Sequence, residues 1–167
     1  MKGWSVRKAS SDLPAARYSN NRLTGTIVPS KNLVSPTFPD SSVIVATLID
    51  TGPNGVWAEQ ALEREELYAP ELVRVEAMNI LRRLERAKQI KTPEANAARD
   101  DLMQLEIELF PFDPFSARIW ELRHTVTSYD AWYVAIAEDL AFPLATLDIG
   151  LTKANGPKCE FRTPGSR

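Results

Sequence analysis

Four carboxylates, Asp40, Glu76, Asp130 and Asp148, stand where a folded chain has reason to avoid a charge. Asp148 closes the apolar run Pro143-Leu-Ala-Thr-Leu, at the carboxyl end of an expected strand, where open α/β sheets gather their ligands. As an isolated feature it is equally an ordinary turn residue. Asp130 opens a segment that is apolar nearly all round over residues 131–137, and it shares a helical face with Val134 and Ala137. The helix dipole favours an acid there, and Thr127-x-x-Asp130 has capping-box spacing. A carboxylate turned toward a buried helix nevertheless needs a cation, a donor network or a raised pKa. Glu76 falls between Val73 and Ile80 on the margin of an apolar stripe that includes Ala77, Leu81 and Leu84, so it borders the core or reaches water beside it. Asp40 precedes Ser41, Ser42 and an apolar run, a pattern that N-capping alone explains.

If the four acids meet, their mutual repulsion requires compensation, and a hard divalent cation is the usual solution. Oxygen-only ligands suit Mg²⁺ or Mn²⁺. His124 is the only histidine and Cys159 the only cysteine, which weighs against zinc and excludes an internal disulfide. A divalent ion held by few carboxylates activates water toward a phosphodiester.

The surrounding pattern says what must position these acids. Ser41 and Ser42 can cap a helix over residues 43–49, although the β-branched residues there would equally suit a strand. Thr51-Gly-Pro-Asn-Gly55 reads as a turn and residues 56–67 as an amphipathic helix. A short strand at Leu67-Tyr-Ala precedes a long helix opening at Pro70 and reaching about Gln89. A second helix follows from Thr92 or Pro93 to about Leu105, then a strand over 107–112 and a helix from Asp113 to about His124. Thr127 or Ser128 caps the nearly all-apolar helix, which ends near Leu140 and must be buried. Strands are expected over 143–148 and 158–161. Strands alternating with helices imply an α/β fold with a parallel sheet.

The chain of 167 residues has the length of one domain, and 44% hydrophobic with 25% charged residues is the composition of a globular protein. No run approaches the roughly 18 apolar residues of a membrane span, and the amino terminus lacks the apolar core of a secretory signal. Both point to a cytoplasmic protein. Residues 1–35 carry six basic residues against Asp12, a net +5, while the whole chain stands at −2, leaving −7 for the remainder. This first segment is rich in Ser and Asn without periodicity and reads as a disordered or irregular arm. An acidic folded portion must contact any nucleic acid through local charge. Arg82, Arg83, Arg86, Lys88 and Lys91 form a basic run, and Arg123, Lys153 and Lys158 lie near the acids in sequence; a solvated face accounts for such residues equally.

The order of these segments resembles the PIN-domain ribonucleases, specifically the VapC toxins of type II toxin–antitoxin modules. The resemblance is carried by Asp40-Ser-Ser-Val-Ile-Val, by Ala69-Pro-Glu-Leu-Val-Arg-Val-Glu76, by Tyr129-Asp-Ala-Trp-Tyr-Val-Ala-Ile-Ala137 and by Pro143-Leu-Ala-Thr-Leu-Asp148. It implies a three-layer sandwich, a central parallel sheet flanked by helices, with residues 36–167 as the PIN domain. It further implies Mg²⁺-dependent endonucleolytic cleavage of RNA, Mn²⁺ substituting, with a VapB-type antitoxin as inhibitor and a toxin homodimer. Asp40 and Asp130 become the principal metal carboxylates, Glu76 the second acid of the quartet, ligating the metal or orienting its bound water, and Asp148 the fourth, acting directly or through water. Ser42 and Thr146 match polar positions that steady such carboxylates.

One departure stands out. Family members carry an apolar central strand before the first acid, whereas this chain reads Val34-Ser-Pro-Thr-Phe-Pro39, and prolines are disfavoured in a central strand. Asp50, after residues 43–49, is therefore a rival to Asp40. A catalytically impaired PIN-like protein that captures an antitoxin or RNA without cleavage is the alternative function. A phosphoacceptor receiver domain is a third, requiring a lysine after a late strand.

Overall fold

The computed structural model describes residues 37–62 and 66–165; the basic arm expected over residues 1–35 lies outside the described residues. Strand β1 (Phe38–Pro39) leads into α1 (Ser41–Ile49) and α2 (Pro53–Leu62). Then come β2 (Leu67–Pro70), α3 (Val73–Arg86), α4 (Thr92–Gln104) and β3 (Ile107–Phe110). A 3₁₀ turn (Asp113–Phe115) precedes α5 (Ser116–Glu121) and α6 (Ser128–Leu140), followed by β4 (Leu144–Ala145), α7 (Ile149–Thr152) and β5 (Phe161–Arg162). All strand pairs are parallel, in the orders β1-β4-β5 and β2-β3. This is the expected α/β sandwich of parallel strands between helices.

Pro39 explains why the sheet is written in two pieces. On the β4 side the backbone N–H groups of Phe38 and Asp40 donate to the carbonyls of Pro143 and Ala145 at 2.9 and 3.0 Å. Pro39 falls between them, where the missing N–H would have pointed away from β4. β1 packs against β2 on that side without a shared ladder. The proline is thus compatible with a buried strand because the one bond it forfeits lies on the edge that closes by packing.

The helical alternative wins over residues 43–49, and the cap is Asp40 rather than Ser41 or Ser42. Strand pairing stops at Pro39, and the next carboxylate takes the free N–H groups at the start of the helix. Several expected boundaries move. α2 starts at Pro53, because proline fits a helix's first turn, and it ends at Leu62, short of Leu67. Gly55 is forced by close approach, since a Cβ there would stand 1.7 Å from the Asp50 carbonyl oxygen. Pro70 closes β2 instead of opening a helix, as Glu71 N–H donates to Phe110 O at 3.1 Å, and α3 spans only Val73–Arg86. The helix expected over 113–124 is divided into the 3₁₀ turn and α5, which stops at Glu121. β3 ends at Phe110, β4 is Leu144–Ala145, and the last strand lies at Phe161–Arg162.

α6 forms the spine: residues 131–137 are all buried. With Phe38, Ile44, Val73, Leu102 and Leu144 they make the main core, each large aliphatic contributing about 1.5–3 kcal/mol of burial. Val43, Ala46, Ala58 and Ala145 form a smaller cluster under α2. Among the described residues no helix is long and apolar enough to cross a membrane.

Candidate active site

Parallel β1 and β4 deliver their next residues to one edge: Asp40 follows the first and Thr146 the second. Asp40 is 8% exposed. Its Oδ1 accepts from the backbone N–H groups of Ser42 and Val43 at 2.9 and 3.1 Å and from Ser42 Oγ at 2.5 Å. Its Oδ2 accepts from the Thr146 hydroxyl at 2.5 Å. Both hydroxyls also accept, Ser42 Oγ from Leu147 N–H at 3.1 Å and Thr146 Oγ1 from Asp148 N–H at 2.9 Å. Ser42 and Thr146 therefore clamp the carboxylate and stitch the start of α1 to the segment after β4. Burial pushes the Asp40 carboxyl above the ordinary carboxylate range, against the opposing pull of these four donors.

Glu76, in the first turn of α3, meets α6 through Tyr133, whose phenol donates to Glu76 Oε2 at 2.6 Å. Burial raises the Glu76 carboxyl, the Tyr133 bond opposes that, and the negative charges of Asp130 and Asp40 push it further up. Burial and the Glu76 charge likewise raise the Tyr133 phenol. Asp130, half-buried, gives its N–H to Thr127 Oγ1 at 3.2 Å, so Thr127 caps α6, while Asp130 Oδ2 accepts from the Thr127 hydroxyl at 2.6 Å instead of from the backbone N–H that a capping box uses.

Asp148 does not terminate a strand. It is exposed and caps α7, accepting from Gly150 and Leu151 N–H at 2.7 and 3.2 Å on Oδ1. A Cβ on Gly150 would stand 2.9 Å from that oxygen, so the tight cap depends on glycine. Asp148 and Asp130 line one open cleft of about 510 Å³, together with Arg123, His124, Thr127 and Leu151.

The charges of Asp130 and Asp40 thus both bear on Glu76, and Asp130 and Asp148 share the cleft. Asp50 lies at the far end of α1, where its Oδ1 accepts from Gly52 N–H at 2.7 Å. Arg82, Arg83 and Arg86 are exposed along α3, Arg82 gripping Asn79 Oδ1 at 3.1 and 2.8 Å, and they do not line the cleft. Tyr133 is a contributor that the reading of acids alone passes over. Tyr133 follows Asp130 by one helical turn and so projects on its side of α6.

The donor set is oxygen only, and the like-charge strain on Glu76 is what a hard divalent ion relieves. Among the described residues, no three Asp, Glu, His or Cys groups lie close enough together to hold an ion between them. Removing the Tyr133 hydroxyl tests the link between α3 and α6. In Tyr133→Phe the Glu76 carboxyl, losing the bond that favours its charged form, is expected to titrate at higher pH than in the wild type. Carbon-detected NMR of the Glu side chains reads this, and an unmoved Glu76 would show that the bond is not made in solution.

Comparison with known proteins agrees with this geometry. Residues 37–157 match the PIN domain. The chain is 36% identical over 124 residues to ribonuclease VapC1 of Mycobacterium tuberculosis, covering 74% of this chain and 93% of that protein. Its fold is similar to VapC20 of M. tuberculosis, described as a sarcin-ricin loop cleaving toxin, with a TM-score of 0.51 at 17% identity over 70% of this chain and 92% of that one. It is also similar to a chain of VapBC2 from Rickettsia felis, solved on a DNA fragment from its promoter, with a TM-score of 0.53 at 14% identity over 76% and 97% of the two chains. On the family match and the VapC1 relationship together, this chain belongs to the PIN-domain family, in its VapC branch.

Proposed function

We propose that this protein is a divalent-metal-dependent endoribonuclease, the toxin of a type II toxin–antitoxin module, acting in the cytoplasm as a homodimer and silenced by a VapB-type antitoxin. The observation that carries the reading is that Asp40 and Asp130, both distant from Glu76 in sequence, lie near enough for their charges to bear on its half-buried carboxyl. Asp40, Asp130, Glu76 and Asp148 are the residues that would hold Mg²⁺, with Mn²⁺ able to substitute. Such an ion, when bound, supplies positive charge at the scissile phosphate and acidifies water. The chain's own contribution is positional. Ser42 and Thr146 fix the Asp40 carboxylate, and Tyr133 steadies Glu76. Glu76, whose hold on a proton is strengthened by burial and neighbouring charge, is the group suited to receive one from attacking water. VapC1 is named a ribonuclease, and the R. felis structure is a VapBC complex, which supports both the activity and the partner.

The alternative, a PIN-like protein that captures an antitoxin or RNA without cleaving, draws on one observation: the acids do not close to a common ligand distance. Purified protein with Mn²⁺ and an end-labelled structured RNA separates the two. Cleavage abolished by EDTA, with saturable Mn²⁺ binding by calorimetry, is the expected result. Neither cleavage nor saturable binding would establish the non-catalytic reading.

A further inference from the structure

Trp120 is 68% exposed at the end of α5, the most exposed large apolar side chain among the described residues. Exposure alone assigns it nothing; its pairing with a cation does. The Arg123 guanidinium lies 4.8 Å from the centroid of its ring and donates from Nη1 to the Trp120 carbonyl at 2.8 Å, so ring and cation are held as one unit. Among the described residues no carboxylate stands in ion-pair range of Arg123, although it lines the same cleft as Asp130 and Asp148. A cation without a carboxylate partner, on the lining of a cleft that also holds two acids and stacked on an exposed indole, complements a phosphate and the base attached to it.

We propose that Trp120 and Arg123 form the rim that reads RNA at this cleft: an unpaired base stacks on the indole while the guanidinium takes the neighbouring phosphate. The inference rests on the ribonuclease reading and adds to it the residues that select single-stranded over paired substrate, because a base held in a duplex cannot reach the ring. Residues 36–167 carry a net charge of −7, so a local cation eases the approach of a polyanion to the acids.

The test uses the full chain, a fluorescent mixed-sequence 12-nucleotide RNA, and the same RNA as a duplex. Trp120→Ala is expected to raise the single-strand Kd roughly tenfold and leave duplex binding unchanged, with Trp120→Phe recovering most of the loss. Arg123→Gln should weaken binding and flatten the log Kd against log salt slope by about 0.7. In Mn²⁺ cleavage assays both should raise KM with kcat within about twofold. Wild-type cleavage with variant Kd and KM unchanged would overturn the inference while leaving the ribonuclease reading intact. A wild type that neither binds nor cleaves would sink that reading and the inference with it. A change of oligomeric state or of antitoxin capture in Trp120→Ala, with RNA binding unaltered, would assign the ring to a protein interface instead.

Discussion

The Asp40→Asn protein is expected to lose RNA cleavage by about a thousandfold or more and yet, without divalent ions, to melt no lower than the wild type. The first half rests on the proposed site: Asp40 is one of the acids that would hold the ion, and electrostatic stabilisation at a reacting phosphate depends on that ion. The second half follows from burial. A carboxylate 8% exposed is held above its ordinary range by desolvation, so its ionised form weakens the fold. The native state binds this proton more readily than the unfolded chain, whose carboxyl has the ordinary value of 3.8. The stability contributed by Asp40 therefore falls as pH rises from the unfolded value through the native one. Asparagine keeps an acceptor for the Ser42 and Val43 N–H groups, and its amide can donate to the Thr146 hydroxyl. Thermal melts in EDTA at a series of pH values should show the variant gaining on the wild type as pH rises. A large drop in melting temperature at neutral pH would make Asp40 a structural anchor first, and retained cleavage would remove it from the site.

How much of this was legible in the sequence depends on whether local chemistry or long-range pairing made the decision. α6 could be read directly, because an uninterrupted apolar run after Thr127 leaves only a buried helix. The capping role of Thr127 follows from spacing alone. Asp40 was harder: helix and strand propensities balance over residues 43–49, and what tips them is the pairing of Phe38 and Asp40 with β4, more than a hundred residues downstream. The same pairing removes the objection to Pro39, since only the sheet order shows which edge lacks the N–H. Asp148 reads as a strand end because its apolar run is continuous, yet β4 stops at Ala145 when Thr146 turns its hydroxyl to Asp40. α7, only four residues long, has no periodicity to detect. The Glu76–Tyr133 bond links residues 57 apart on two helices, and no local pattern announces it.

Arg118→Ala is expected to cost about 2–4 kcal/mol and to lower the melting temperature by on the order of 10 °C, the largest stability loss of any polar substitution considered. Arg118 Nε and Nη2 grip the two oxygens of Glu138 at 2.7 and 3.0 Å, and Nη2 also donates to Gly156 O at 2.8 Å. Glu138 takes a further bond from Lys158 N–H at 2.7 Å. This arrangement ties α5 and α6 to the segment between α7 and β5. The Glu138 side chain is only 15% exposed, so losing its cation strands a carboxylate away from water. Burial alone would raise the Glu138 carboxyl, but the Arg118 bonds and charge with the Lys158 N–H outweigh it and hold the group below its ordinary range. The pair's stabilisation is therefore present above the ordinary value of 4.5 and is lost as pH falls through the depressed native value, so wild type and variant should converge in acid. Glu121, at 2.9 Å on the other side of Arg118 but 66% exposed, serves as the comparison, and Glu121→Ala should cost under about 1 kcal/mol. Because the freed segment directly follows α7, whose cap is Asp148, hydrogen exchange in Arg118→Ala should rise over residues 153–160 before it rises in α6. Uniform loss of protection would place the staple in the global core, and equal costs for the two substitutions would show that the buried pair adds nothing beyond a surface ion pair.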